Sequence, residues 1–143
     1  AMALGISSSA RAGTTTENVP PPAVSAEEQR RQLEAQWESA IRLENWTDAE
    51  RLAREQIALE PYCADGHLLL GETVLRQADV FSQSGGRAAV LEKMRGKAIR
   101  WLQDGLNRVA DSESLRIKQR LAHVYRLLND DQAADLILNR PET

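Results

Sequence analysis

Residues 45–74, NWTDAERLAREQIALEPYCADGHLLLGETV, decide the fold of this chain. Apolar side chains recur every three or four positions through Ala49, Leu52 and Ile57, which predicts an amphipathic helix. Pro61 ends that helix, because proline lacks an N–H and its ring clashes with the preceding turn. A second helical pattern begins within a few residues, so the stretch predicts two helices joined by a tight turn.

The same spacing continues on the N-terminal side. Ser25 followed by Glu28 is a capping box, in which the hydroxyl and the carboxylate satisfy free amides at a helix start. The helix that follows is expected over 27–44, and Thr47 is expected to cap the next one. No alternating β-branched run of useful length occurs in the sequence, which predicts an all-α protein.

The helical patterns repeat along the chain. Aligned positions on successive first helices are Trp37, Gly71 and Ala122, and those on successive second helices are Ala49, Ala98 and Ala134. The separation within the first and the last pair is 12 residues, whereas the middle pair is 27 residues apart. Repetition at this period is typical of stacked helical units, with an insertion of 15 residues in the middle one.

From about Arg30 onward the chain resembles the tetratricopeptide repeat (TPR), a helix–turn–helix unit. The matching stretches are 45–61, with its closing proline, 64–74, 98–109 and 121–134. The resemblance implies a short right-handed α-solenoid of three units, at about 30–63, 64–112 and 115–143, the last shortened by Pro141. The chain departs from the family at Trp37, where a small residue is usual, at Gln56, where alanine is usual, and at Ala110, where a closing proline is usual.

The insertion, near residues 79–95, predicts an elongated middle hairpin. Its first helix is expected to run from residue 64 to about Phe81, with a turn at 82–86 and a second helix from near Arg87 to Val109. A simple lengthening, a docking arm and a less regular loop containing Gly85 and Gly86 are all compatible with the sequence.

The N-terminal 25 residues differ in composition from the rest. Runs of serine, threonine and proline at 7–9, 14–16 and 20–22 favour neither helix nor strand and bury little apolar surface. They predict a flexible leader at 1–25, followed by one helical domain at 26–143.

Composition excludes several classes of function. The formal charge is −3, with 18 Lys and Arg against 21 Asp and Glu, which disfavours a nucleic-acid partner. No apolar run is long enough to insert into a membrane, and Cys63 is the single cysteine. These features favour a cytoplasmic protein.

The residues that catalysis would need are sparse. His67 and His123 are the two histidines, and Cys63 with His67 supplies too few ligands for a closed zinc site. Phosphate-binding loops, zinc-protease motifs and nucleophile elbows are missing from the sequence. We therefore expect a non-enzyme without cofactor or metal.

The resemblance implies an adaptor or chaperone that binds a segment of a partner protein in a concave groove. The implied groove residues are Arg31, Glu34, Glu38, Ile41, Arg42, Asp65, Leu68, Glu72, Leu75, Arg76, Arg116, Gln119, His123, Arg126 and Leu127. Acidic residues dominate the first two units and arginines the last, which favours a mixed-charge segment with a few apolar anchors. Ile41, Leu68 and Leu75 are the expected contacts for those anchors.

A second hypothesis belongs to a different class of function. Leu136, Ile137 and Leu138 lie near the end of the repeat pattern, and an array end without a polar cap exposes apolar surface. This pattern is compatible with a structural subunit that self-associates or caps a larger assembly.

Overall fold

The computed structural model describes residues 25–139. The leader predicted for residues 1–25 lies outside the described residues except for Ser25, as does Pro141. Six α-helices follow one another: α1 (Ala26–Arg42), α2 (Trp46–Leu59), α3 (Ala64–Gln83), α4 (Ala88–Leu106), α5 (Ser114–Leu127) and α6 (Asp131–Leu138). A short 3-10 turn at Asp111–Glu113 precedes α5, and residues 25–139 contain no strand, so the prediction of an all-α protein is confirmed for this part of the chain.

Neighbouring helices pack in a regular order. The most extensive contacts lie within the successive pairs α1–α2, α3–α4 and α5–α6, and between the second helix of one pair and the first helix of the next. Smaller contacts join α1 to α3 and α3 to α5. The three first helices of the pairs are therefore adjacent to one another.

The three turns inside these pairs share one geometry. Each contains a residue with positive φ: Glu44 at 56°, Gly85 at 83° and Asn129 at 61°. In each turn that residue donates its N–H to the carbonyl three positions back, and the next residue donates to the carbonyl five positions back, with distances of 2.8 to 3.0 Å. This pattern satisfies carbonyls left free at the end of a helix.

Helix starts agree with the sequence at one position and differ at another. The Ser25 hydroxyl accepts a hydrogen bond from the Glu28 N–H at 3.1 Å, as the capping box predicts. The prediction of Thr47 as the second cap is wrong, because α2 begins earlier and Asn45 accepts from the Asp48 N–H at 3.3 Å. Asn45 directly follows the positive-φ residue of the turn, so one short connection both ends α1 and caps α2.

The middle pair is longer than the others, as the insertion predicts. Helix α3 continues to Gln83, and α4 begins at Ala88 with Arg87 preceding it. The end expected at Val109 is wrong, because α4 stops at Leu106. The turn is well formed at Gly86, whose Cα lies against the Phe81 ring.

Two clusters of buried side chains form the core. The smaller cluster joins α1 and α2 to Leu70 of α3, and the larger one runs from α3 to α6 around Leu102 and Leu121. Trp101 packs against both. The three alanines at the aligned second-helix positions, Ala49, Ala98 and Ala134, are fully buried.

Within residues 25–139 no helix is both long enough and apolar enough to cross a lipid bilayer.

Candidate functional site: a groove across three first helices

A groove of about 470 Å³ crosses α1, α3 and α5 on one side of the molecule. Its lining combines apolar and charged side chains: Trp37, Leu68, Leu69, Glu72, Arg76, Arg116, Gln119 and Arg120. Each of the three first helices contributes, because their adjacency leaves one flank of each helix open.

Trp37 anchors α1 to α3 at the floor of the groove. Its side chain is 4% exposed, and the indole Nε1 donates a hydrogen bond to the Thr73 hydroxyl at 2.9 Å. That hydroxyl in turn donates to the Leu69 carbonyl at 2.8 Å. The buried indole N–H is therefore satisfied, which fixes the position of α1 against α3.

Two carboxylates of α3 are held by arginines from both neighbouring helices. Asp65 accepts from Arg116 of α5 at 2.7 Å and from Arg30 of α1 at 3.4 Å. Seven residues further along the same helix, Glu72 pairs with Arg120 of α5, whose Nε donates at 3.0 Å. These ion pairs bridge the first helices.

The second carboxylate is also held from within α3. The Arg76 Nε donates to the other oxygen of Glu72 at 3.2 Å. The hydrogen bond from Arg116 to Asp65 raises the pKa of that guanidinium above its usual value, so it remains a cation at any working pH. The acidic half of the groove expected from the sequence is consequently neutralised at Asp65 and Glu72.

Four of the residues implied by the resemblance line this groove with side chains available from solvent. These are Leu68, Glu72, Arg76 and Gln119. Asp65 is joined to the lining through Arg116, which the repeat register also implied. Leu75 is 5% exposed and belongs to the larger core cluster, so it offers no contact surface for a partner.

The remaining implied residues lie outside the lining. Those on α1 are spread along its exposed and half-buried surface: Arg31, which pairs with Glu27, then Glu34, Glu38, Ile41 and Arg42. On α5, His123, Arg126 and Leu127 are exposed, and Arg126 pairs with Asp135 of α6 at 3.5 Å. The structure therefore concentrates the groove in the middle unit and its two neighbours.

Sequence reasoning missed three lining residues: Trp37, Leu69 and Arg120. Arg120 carried a usable signal, because it lies one helical turn after Arg116, as Glu72 lies two turns after Asp65. Opposite charges at matching spacing on neighbouring first helices predict this cross-helix pairing. Trp37 carried no such signal, since its role depends on the hydroxyl of Thr73.

Other candidate chemical groups remain apart from the groove. Cys63 is half-buried, and burial is the main cause that raises the pKa of its thiol, which keeps it protonated. His67 is buried and its Nε2 lies 3.1 Å from the Pro61 carbonyl. Among residues 25–139 no three histidine, cysteine or carboxylate side chains are grouped so that they could hold a metal ion.

Comparison with known proteins gives no match to a protein-family model, to a curated protein or to a solved structure.

Proposed function

We propose that the chain is a TPR-like α-solenoid that binds a segment of a partner protein across α1, α3 and α5, as an adaptor or chaperone without catalytic activity. Three observations support the repeat architecture: the turn geometry shared by all three helix pairs, the buried alanine at the same place in each second helix, and the adjacency of the first helices.

The observation that carries the binding proposal is the groove itself. Stacked helical units expose a continuous surface formed by their first helices, and such surfaces take extended or helical segments. Here the floor is apolar, at Trp37, Leu68 and Leu69, and the walls carry arginines whose positions are fixed by ion pairs. Fixed donors beside an apolar floor are suited to a segment with one or two apolar anchors, because little side-chain entropy is lost on binding.

The ligand expected from the sequence was a mixed-charge segment. The arginines that line the groove exceed its lining carboxylates, so complementary carboxylates on the partner are favoured near α5. Apolar anchors of the same segment would lie towards Trp37 and Leu68. We place this activity in the cytoplasm as part of the proposal.

Selection from a random peptide library on the immobilised chain tests the groove. Peptides that bind the wild-type chain should lose about tenfold or more in affinity on Gln119→Trp, since the indole fills the groove without entering the core. The matched control is Gln132→Trp on α6, an exposed glutamine outside the groove. Equal affinity for both variants would contradict binding at this site.

One observation favours self-association as the second candidate. Leu136 of α6 is 67% exposed, although α6 closes one end of the helical array. Light scattering on the purified chain distinguishes the two functions: a monomer supports the binding module, and a dimer that Leu136→Glu dissociates supports the structural subunit. Leu43→Glu, at an equally exposed leucine after α1, is the control.

A further inference from the structure

A second surface with a different character lies along α4, outside the groove. Residues 87–108 contain six Lys and Arg against two Asp and Glu, so the rest of the chain carries twelve cations and nineteen carboxylates. The acidic chain therefore holds one strongly basic helix. Segregation of this kind creates a local positive potential that attracts an oppositely charged partner.

The cations of α4 differ from other arginines of the molecule in having no partners. Lys93, Lys97, Arg100 and Arg108 are exposed and form no ion pair with residues 25–139. On α1, α2, α3 and α5, by contrast, most arginines are paired, as at Asp65 and Glu72. The charge of α4 is therefore available to a ligand.

Helical spacing brings these side chains onto one stripe. Lys93, Lys97, Arg100 and Arg108 follow at intervals of four, three and eight residues, with Asp104 between the last two. At 1.5 Å rise per residue the stripe is about 22 Å long. We name these four cations the α4 basic stripe.

A cleft with an apolar floor lies beside the stripe, between α2 and α4. It has a volume of about 320 Å³, and Ile57, Leu70 and Trp101 provide the floor. Two cations lie against the Trp101 ring, with Lys97 Nζ 4.6 Å and Arg54 Cζ 5.1 Å from its centre. The cleft therefore joins an aromatic surface to the basic stripe.

We propose that the α4 basic stripe and the Trp101 cleft bind a short acidic segment of a protein, with one apolar or aromatic side chain seated in the cleft. The partner's carboxylates would pair with Lys93, Lys97, Arg100 and Arg108, which lose no existing ion pair when they bind. This surface belongs to α2 and α4, so the proposal does not depend on the groove of α1, α3 and α5.

Charge distribution favours a short acidic segment over the other polyanions. A nucleic acid extends well beyond 22 Å, and the acidic remainder of the chain would repel the phosphates that lie outside the stripe. A membrane surface usually engages several exposed apolar side chains beside the cations, whereas this stripe offers Trp101 alone. A segment as short as the stripe avoids both difficulties.

Nuclear magnetic resonance titration of the full chain with a synthetic peptide tests the proposal. The probe has glutamates on both sides of a single phenylalanine, and its matched control replaces every glutamate with glutamine. We expect the acidic peptide to shift the resonances of the α4 basic stripe and of the Trp101 indole, and the glutamine peptide to shift neither. Shifts confined to the α1, α3 and α5 groove, or no shifts, would overturn the proposal.

Charge reversal on the chain provides the second arm. Lys93→Glu with Arg100→Glu should weaken the acidic peptide by about tenfold or more, because both side chains are exposed and their reversal leaves the core intact. Arg31→Glu with Arg42→Glu, which makes the same change of charge on α1, is the control and should weaken it less than about twofold. Equal weakening by the two pairs would show a response to net charge alone and would overturn the proposal.

Two further probes separate the alternative partners. A single-stranded oligothymidylate and phosphatidylserine vesicles are titrated under the same salt conditions. Weaker binding of both than of the acidic peptide supports the proposal, and tighter binding of either one assigns the stripe to that class of ligand instead.

Discussion

Gly71 is the point at which two long helices come closest. A Cβ built on Gly71 would lie 2.8 Å from Leu102 Cδ2 and 2.9 Å from Leu102 Cγ, and Leu102 is fully buried. The alignment of the repeats indicated a small residue here from sequence alone. Its physical reason is now specific, since any side chain at residue 71 must displace a leucine at the centre of the core.

We expect Gly71→Ala to lower the free energy of unfolding by about 1–3 kcal/mol, because overpacking exceeds the gain in helix propensity. Chemical denaturation measures the change. Gly96→Ala is the matched control on α4: its Cβ would meet only the end of the Arg100 side chain, at 3.9 Å, so the substitution should stabilise by about 0.5–1 kcal/mol. A neutral or stabilising Gly71→Ala would contradict the close approach.

Gln56 is a buried polar residue where the repeat family usually has alanine. It is fully buried, and neither amide atom has a hydrogen-bond partner among the described residues. An unsatisfied buried amide is costly. We expect Gln56→Leu to raise the free energy of unfolding by about 1–2 kcal/mol in the same assay. A loss of stability would show that the amide is satisfied in solution.

His67 links stability to pH. Burial lowers the pKa of its imidazole, an effect that outweighs the opposing hydrogen bond to Pro61. The unfolded chain therefore takes up a proton at a higher pH than the folded chain does. Its contribution to stability should be complete above the unfolded pKa of about 6.5 and should decline as the pH falls below that value.

Unfolding free energies measured from pH 8 to pH 5 test this expectation. Acidic groups also titrate, so the informative quantity is the difference between variants. His67→Gln should remove part of the decline, whereas His123→Gln, at an exposed histidine, is the control. An unchanged slope in His67→Gln would contradict the assigned effect of burial.

At the scale of elements, the connections carry as much order as the helices. The loop after α4 bonds back to the loop after α2 at two places: the Ala110 N–H donates to the Tyr62 carbonyl at 3.0 Å, and Glu113 accepts from the Ala64 N–H at 2.9 Å. Glu113 thus supplies the cap that the Cys63 side chain does not provide to α3. The absence of proline at residue 110, a departure from the repeat pattern, follows from this need for an N–H.

We expect Ala110→Pro to lower the free energy of unfolding by about 1–2 kcal/mol, although proline is usual at this place in the family and φ is already −66°. Thermal or chemical denaturation measures it. Ala110→Ser, which keeps the N–H, is the control and should remain close to the wild-type chain. A stabilising proline would show that the bond to Tyr62 contributes little.

Much of this level was predictable from sequence, and the failures share a cause. Helical periodicity predicted the helices, and the spacing of Gly71 and Ala98 predicted the long middle pair, because these are local patterns. The cap at Asn45 was missed because the turn that ends α1 also decides where α2 begins. Arg120 in the groove and the burial of Leu75 depend on packing between helices distant in sequence.

The whole molecule is built around two clusters joined mainly at α3 and Trp101. The α1–α2 cluster is the smaller one and contacts the rest through Leu70, Trp101 and the hydrogen bond from Trp37 to Thr73. Stability in stacked helical units is approximately the sum of unit and interface contributions. Unequal clusters should therefore open at unequal free energies.

We expect native-state hydrogen exchange to give lower opening free energies for amides of α1 and α2 than for buried amides of α3 and α5. Thr73→Val, which removes the acceptor for the Trp37 indole, should lower the values in α1 and α2 by about 1–2 kcal/mol more than those in α5. Uniform values across the six helices would indicate one cooperative unit.

The turn between α3 and α4 has a practical consequence. Gly85 has free space around its Cα, its neighbours Gln83 and Ser84 are exposed, and none of them lines the groove or the Trp101 cleft. Loop tips of this kind tolerate inserted sequence. A short epitope or a dye-labelling tag placed between Ser84 and Gly85 would let the chain be immobilised or followed by microscopy with both proposed binding surfaces left uncovered.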